Sequence, residues 1–110
     1  MNAKSLPKPP AHLQKATKRW FSDIVAAYEL ESHHLRLLQA ACESWDRLQA
    51  ARVVLDRDGI SYVDRFNAPR ARPEVAVERD AKVSFARLVR ELNLDGAPGP
   101  DAPRPPAINR

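Results

Sequence analysis

The apolar residues between Ser32 and Gly59 predict one long helix, which constrains the fold more than any other feature. Apolar side chains recur there every three or four residues, the period of one helix face: Leu35, Leu38, Cys42, Trp45 and Leu48. Ser32 is a good N-cap, so the helix should run from His33 to about Arg57 and stop at Asp58-Gly59. A helix of about 25 residues is a rod of roughly 37 Å, which is long for a chain of 110 residues.

Two further helices are predicted on either side of it. Apolar residues from Ala11 to about Tyr28 follow the helical period, and Pro73 suits the first turn of a helix that Asp95-Gly96 ends. Residues 60–68, between the second and third helices, predict a short extended connector or a small hairpin. The expected fold class is therefore all-α, with about three helices and a long central one.

Both ends of the chain are rich in proline. Residues 1–10 predict an irregular basic arm, because Pro7, Pro9 and Pro10 lack the N–H that regular structure needs. Residues 95–110 carry five prolines and few apolar groups, so we expect a disordered or extended tail. The helical domain is then residues 11–94.

Composition excludes several classes of protein. The longest uninterrupted apolar run, Ile24 to Ala27, is four residues, too short for a membrane-spanning helix. No apolar segment of a signal peptide follows the first lysines. The single cysteine, Cys42, cannot form an internal disulfide, which suits a reducing cytoplasm. The three glycines form no phosphate-binding loop.

Charge is distributed unevenly. The chain has 18 basic and 14 acidic residues, yet residues 1–19 hold five cations and no acid. Three arginines surround the turn before the third helix. Both groups are candidate contacts for the phosphates of a polyanion such as nucleic acid, the alternative being ordinary solvated surface: Lys4, Lys8, Lys15, Lys18 and Arg19 in the first group, Arg65, Arg70 and Arg72 in the second.

No set of residues predicts catalysis or metal binding. The adjacent His33 and His34 point about 100° apart on a helix, not along one face as a helical metal site requires. Cys42 lies in an apolar stripe and is expected to be a buried thiol. We therefore expect no catalytic residue, no metal and no cofactor.

The second helix carries more apolar surface than one neighbouring helix needs. This favours a homo-oligomer over the alternative, a monomeric helical bundle. The expected interface residues are Leu37, Ala40, Ala41, Leu48, Ala51 and Leu55.

Taken in order, several short segments resemble the terminase small subunits of tailed phages and prophages. The segments are Pro9-Pro10-Ala11-His12-Leu13, Lys18-Arg19-Trp20, Tyr28-Glu29-Leu30-Glu31, Leu35-Arg36-Leu37-Leu38, Ala41-Cys42-Glu43, Asp46-Arg47, Ala51-Arg52, Gly59, Arg70-Ala71-Arg72-Pro73 and Arg90-Glu91-Leu92-Asn93-Leu94. The resemblance covers about residues 7–106. The chain departs from the family at Asn93, where a glycine is frequent, and at His34, where an aspartate is frequent. Asn also tolerates the left-handed conformation of a helix cap.

The resemblance implies a non-catalytic DNA-packaging adaptor. Such a protein assembles into a ring, binds double-stranded viral DNA and delivers it to a large subunit that holds the ATPase and nuclease. It implies the cytoplasm of a bacterial host and absence from the mature virion, and we expect the proline-rich tail to contact the large subunit. The alternatives are a standalone helical DNA-binding regulator and a protein–protein scaffold. The interval of about fifteen residues between the second and third helices is too long for a helix-turn-helix turn.

Overall fold

The computed structural model describes residues 5–96 and 103–109 and is mostly helical. Its helices are α1 (Lys15–Ala27), α2 (Ser32–Asp58) and α3 (Pro73–Leu92). Short strands form two small antiparallel sheets, β1 with β4 and β2 with β3: β1 (Tyr28–Glu29), β2 (Ser61–Val63), β3 (Pro69–Ala71) and β4 (Ala107–Ile108). The long central helix is confirmed, and the strictly all-α class is corrected to a helical fold with a small antiparallel part.

Helices α2 and α3 lie antiparallel and form the long axis of the molecule. The ring centroids of Trp45 and Phe85 are 5.0 Å apart, and further along the pair Arg52 Nε lies 3.4 Å from Glu78 Oε2. In the direction from α1 toward the hairpin, residue numbers therefore increase along α2 and decrease along α3. The molecule measures 67 × 35 × 17 Å, because the pair ends in the β2–β3 hairpin at one end and packs against α1 at the other.

The hydrophobic core lies at the end that α1 covers. Its buried side chains come from all three helices and from the segment before α1: Leu13, Phe21, Val25, Leu38, Cys42 and Leu92. Burying a leucine of this size contributes about 1.5–3 kcal/mol. Toward the hairpin the helix pair buries small residues such as Ala51 and Ala81, so the core becomes thinner there.

Helix α1 is shorter than predicted, beginning at Lys15 instead of Ala11 and ending at Ala27. Residues before it form a turn in which the Leu13 N–H donates to Pro10 O at 3.3 Å. The cap residue Gln14 is extended, and its N–H donates to a carboxylate oxygen of Asp46 on α2. The start of α1 is thus set by a residue from another helix.

Helix α2 has nearly the predicted length but a different cap. Glu31, not Ser32, is the N-cap, and Ser32 is the first helical residue. The Glu31 side chain accepts the His34 backbone N–H, while His34 Nδ1 accepts the Glu31 N–H at 3.1 Å. This reciprocal arrangement satisfies two donors at the helix start. At the other end Gly59 has a φ of 83°, which favours glycine as predicted.

Helix α3 begins at Pro73, as predicted, but ends three residues before the predicted stop. Asn93 adopts the left-handed conformation with φ 48° and ψ 49°. Its N–H donates to Val89 O and Arg90 O, which closes the last turn. An asparagine therefore caps the helix before Asp95-Gly96 is reached.

The connector between α2 and α3 is a hairpin, one of the two predicted forms. Strand β2 pairs antiparallel with β3, so that Tyr62 lies opposite Arg70 and Val63 opposite Pro69. The Arg72 N–H donates to Ile60 O at 2.9 Å and extends the pairing toward the helices.

Residues 103–109 of the predicted tail are extended, one of the two forms expected for it. Strand β4 pairs with β1, with Ile108 opposite Tyr28. Asn109 completes the end of α1, because its backbone N–H donates to Ala27 O at 2.8 Å and its side chain to Ala26 O at 3.0 Å. Residues 97–102 and 110 of the predicted tail, and residues 1–4 of the predicted arm, lie outside the described residues. Residues 5–10 have no regular structure, as expected. In the described ranges, every helix is too short or too polar to cross a bilayer.

Candidate nucleic-acid interface

Helix α1 presents three cations on one face. Lys15, Lys18 and Arg19 are three and four residues apart, a spacing that places side chains together on a helix. The buried residues of α1, Thr17 and Phe21 among them, follow a different face. Lys15 and Arg19 are exposed and Lys18 is half-buried, so the predicted cations form a continuous basic stripe.

Two carboxylates of α2 hold this stripe in place. Asp46 accepts the Gln14 N–H at 2.8 Å through one oxygen and the Thr17 hydroxyl at 2.5 Å through the other. Glu43 lies 2.8 Å from His12 Nε2. Because Asp46 completes the first turn of α1 from outside, the basic stripe rests on a fixed helix, not on a mobile segment.

The cations of the stripe are not neutralised by neighbouring acids. Among the described residues, no carboxylate oxygen lies within 4.0 Å of a charged nitrogen of Lys8, Lys15, Lys18 or Arg19. Other arginines are paired in this way, including Arg52, Arg57, Arg70 and Arg79. The fifth predicted cation, Lys4, lies outside the described ranges.

The three arginines near the hairpin have three different environments. Arg70 Nε is 2.9 Å from Asp64 Oδ2, so its charge is compensated. Arg72 Nε donates to the Asp58 carbonyl at 3.3 Å, and its guanidinium lies 5.8 Å from the centre of the Tyr62 ring. The Arg65 guanidinium lies 4.9 Å over the Phe66 ring. Among the described residues Arg65 has no ion pair, whereas Arg72, after Arg57, helps to lower the pKa of Asp58.

The structure does not bring the two groups of cations together. Helix α1 contacts α2 at Asp46, whereas the hairpin begins after Asp58. Twelve helical residues separate these positions by roughly 18 Å, and the hairpin extends further. The described cations form two separate candidate contacts.

The predicted oligomer interface divides into two groups. Ala41, Leu48 and Ala51 are at most 3% exposed within the chain itself. They lie close to Trp45 and Arg52 on the side of α2 that α3 covers, so in the single chain they have almost no accessible surface. Leu37, Ala40 and Leu55 are half-buried and retain accessible surface.

An open apolar groove, which sequence analysis missed, lies where the three helices meet. Its volume is about 390 Å³, and it is lined by Ala16, Thr17, Trp20, Trp45, Phe85 and Val89. Both tryptophans are half-buried and border the groove. Helical spacing alone does not distinguish a sealed core from an open groove.

The groups with metal-ligand or thiol chemistry have structural roles. Ligand atoms of Glu31, His33 and His34 lie within 4.8 Å of one another. However, His34 Nδ1 accepts a backbone N–H and the Glu31 carboxylate serves the same helix cap. Cys42 is fully buried, and burial, followed by the charges of Asp46 and Glu43, raises the pKa of its thiol to about 12.

Comparison of the chain with protein-family models, with curated proteins and with solved structures found no significant match in any of the three. The resemblance to terminase small subunits consequently depends on the order of short segments in this sequence.

Proposed function

We propose that this chain is a non-catalytic DNA-binding adaptor of the terminase small-subunit type. The observation that carries the proposal is the uncompensated basic stripe of α1, and Lys8 of the arm is exposed as well. The ordered series of segments that resemble that family supports the same function. Its partners are double-stranded viral DNA, further copies of itself and a large ATPase–nuclease subunit in the bacterial host cytoplasm.

The stripe acts by electrostatic attraction to phosphates. Each cation that neutralises a phosphate releases condensed counterions, so the logarithm of affinity falls linearly with the logarithm of salt concentration. The slope is about 0.9 per phosphate contact on duplex DNA. A fixed stripe also avoids the entropy cost of ordering a flexible segment on binding.

Duplex binding at several salt concentrations tests the proposal. A variant combining four changes, Lys8→Gln, Lys15→Gln, Lys18→Gln and Arg19→Gln, should flatten the salt slope by about 3–4 units, measured by fluorescence anisotropy. The control removes four exposed cations elsewhere and lowers the net charge equally: Arg36→Gln, Lys82→Gln, Arg87→Gln and Arg90→Gln. It should keep most of the slope.

Two outcomes contradict the proposal in different ways. If the unaltered chain does not bind duplex DNA at low salt, DNA binding is wrong. If it binds but the stripe variant keeps the full slope, the contact lies at Arg65, Arg70 and Arg72 instead.

The catalytic work belongs to the large subunit in this proposal. The purified chain should neither hydrolyse ATP nor cleave DNA, and it should change those activities only when the large subunit is added. Residues 103–109 pack against β1 and α1, and Ile108 of this segment remains 70% exposed for contact with the large subunit.

A further inference from the structure

The β2–β3 hairpin has two chemically different faces. Directly opposite residues of an antiparallel pair share a face, and successive residues alternate between faces. Tyr62 and Arg70 therefore share one face, and the bond between Ile60 and Arg72 places those residues on it as well. The other face carries the small or aliphatic residues Ser61, Val63, Pro69 and Ala71. The Arg72 guanidinium lies 5.8 Å from the centre of the Tyr62 ring, and Arg70 pairs with Asp64.

The turn at the apex is tightly fixed around Asp64. Its side chain accepts the Phe66 N–H at 2.8 Å, the Ala68 N–H at 3.0 Å and Arg70 Nε at 2.9 Å. Its backbone N–H donates to Ala68 O, and its carbonyl accepts the Asn67 N–H. Asn67 takes a φ of 64°, which asparagine tolerates better than most residues. The turn therefore has one well-defined conformation.

This fixed turn holds Phe66 in solvent. The residue is 73% exposed, and its contact with the Arg65 guanidinium does not cover it. A flexible loop would fold such a ring onto the nearest apolar surface, but the Asp64 bonds prevent this. The exposed ring and its neighbouring cation are thus a preorganised pair at the end of the molecule.

We infer that the hairpin inserts into the minor groove of duplex DNA, with Phe66 as a wedge between base pairs and Arg65 in the groove. Proteins that bend DNA insert apolar side chains at a base step and place arginine in a narrowed minor groove. Residues 60–72 hold three arginines and one acid, and that acid is paired with Arg70. The hairpin thus presents positive charge beside its wedge, which complements DNA. The inference rests on the proposed function and adds a duplex-bending step to it.

A bending assay tests the inference on the full chain. A duplex of about 25 base pairs with a central TA step and a dye at each end should show higher energy transfer when the chain binds. Phe66→Ala should remove this increase and weaken binding roughly tenfold, while Phe66→Leu should retain most of the bend. Arg65→Gln should reduce the preference for A·T-rich over G·C-rich duplexes.

Ile108→Ala is the matched control, because Ile108 is 70% exposed and lies away from the hairpin on β4. It should leave both bending and affinity unchanged. Helical circular dichroism of every variant reports whether α2 and α3 remain folded.

Three outcomes overturn the inference. If the chain binds duplex without bending it, the wedge is wrong while the proposed function stands. If Phe66→Ala bends DNA normally but lowers the mass of an oligomer, the hairpin contacts protein. If the unaltered chain does not bind duplex at all, the inference and the proposed function both fail.

Discussion

Single carboxylates determine local structure at two places in this chain. Asp46 completes the first turn of α1, and Asp64 organises the turn of the hairpin. No local sequence pattern singles out Asp64, because its partners come from several positions of the turn. Each carboxylate accepts hydrogen bonds from two or more groups at once, and this is why each one fixes the local backbone.

We predict that the hairpin opens at acid pH. The Arg70 side chain, then the Ala68 and Phe66 N–H groups, lower the pKa of Asp64. A carboxylate whose pKa is lowered by folding stabilises the fold above its unfolded pKa, and this contribution is lost as pH falls through the folded value. Hydrogen exchange at the Phe66 and Ala68 amides should therefore lose its protection below about pH 4.

Asp64→Ala should remove that protection at neutral pH as well, because it removes the oxygen that accepts both amide N–H groups. The comparison is Asp80→Ala, since Asp80 is exposed on α3 and pairs with the neighbouring Arg79. Equal protection of the two amides in wild type and Asp64→Ala would show that Asp64 does not hold the turn.

At the scale of elements, the helix periods and the start of α3 were predicted well, whereas the start of α1 was not. The apolar spacing in α2 and the proline at the start of α3 are local signals, and both were predicted correctly. The start of α1 depends on Asp46, which is 29 residues from Thr17 along the chain. No local pattern can reveal a cap that another helix supplies.

We predict that Asp46→Ala loosens α1 from the helix pair. The change removes the acceptor of the Gln14 N–H and of the Thr17 hydroxyl, which should lower the free energy of unfolding by about 1–3 kcal/mol. Urea denaturation measures this loss. Asp56→Ala, on the exposed part of the same helix, should change stability by less than about 0.5 kcal/mol.

A double-mutant cycle with Thr17→Ala separates the two bonds. If Asp46 and Thr17 act together, the effect of the double variant should be smaller than the sum of the two single effects. Strictly additive losses would mean that Asp46 acts only through Gln14 or through its charge.

The candidate site was also predictable only in part, because contacts formed in the folded chain leave no local pattern in the sequence. The spacing of Lys15, Lys18 and Arg19 placed them on one face, as the structure has them. The three hairpin arginines looked alike in sequence, yet Asp64 compensates only Arg70. Whether an acidic side chain pairs with each arginine depends on the folded turn. The sequence therefore could not show that Arg70 is paired and Arg65 is not.

At the scale of the whole molecule, apolar surface remains uncovered at both ends. The groove bordered by Trp20, Trp45 and Phe85 lies at the α1 end, and Phe66 lies at the other. Leu37, Ala40 and Leu55 add half-buried surface along α2. An elongated chain with a thin core and such surfaces is suited to association with copies of itself.

We predict a homo-oligomer larger than a dimer. Native mass spectrometry should show it at micromolar concentration, and Ala40→Glu should shift the mass toward the monomer because a charge would be buried at the interface. Ala50→Glu places the same charge at an exposed position of α2 and should leave the mass unchanged. A monomer at tens of micromolar would refute the prediction.

The pairing of β4 with β1 also affects how the chain is completed during synthesis. The carbonyl groups of Ala26 and Ala27 receive their donors from Asn109, more than eighty residues later in the chain. While the ribosome is still producing α2 and α3, only water can donate hydrogen bonds to these two carbonyl groups. The helix pair can form early from contacts between neighbouring elements, whereas the α1 end reaches its final structure only after residue 109 has emerged. The α1 end is therefore completed later than the helix pair.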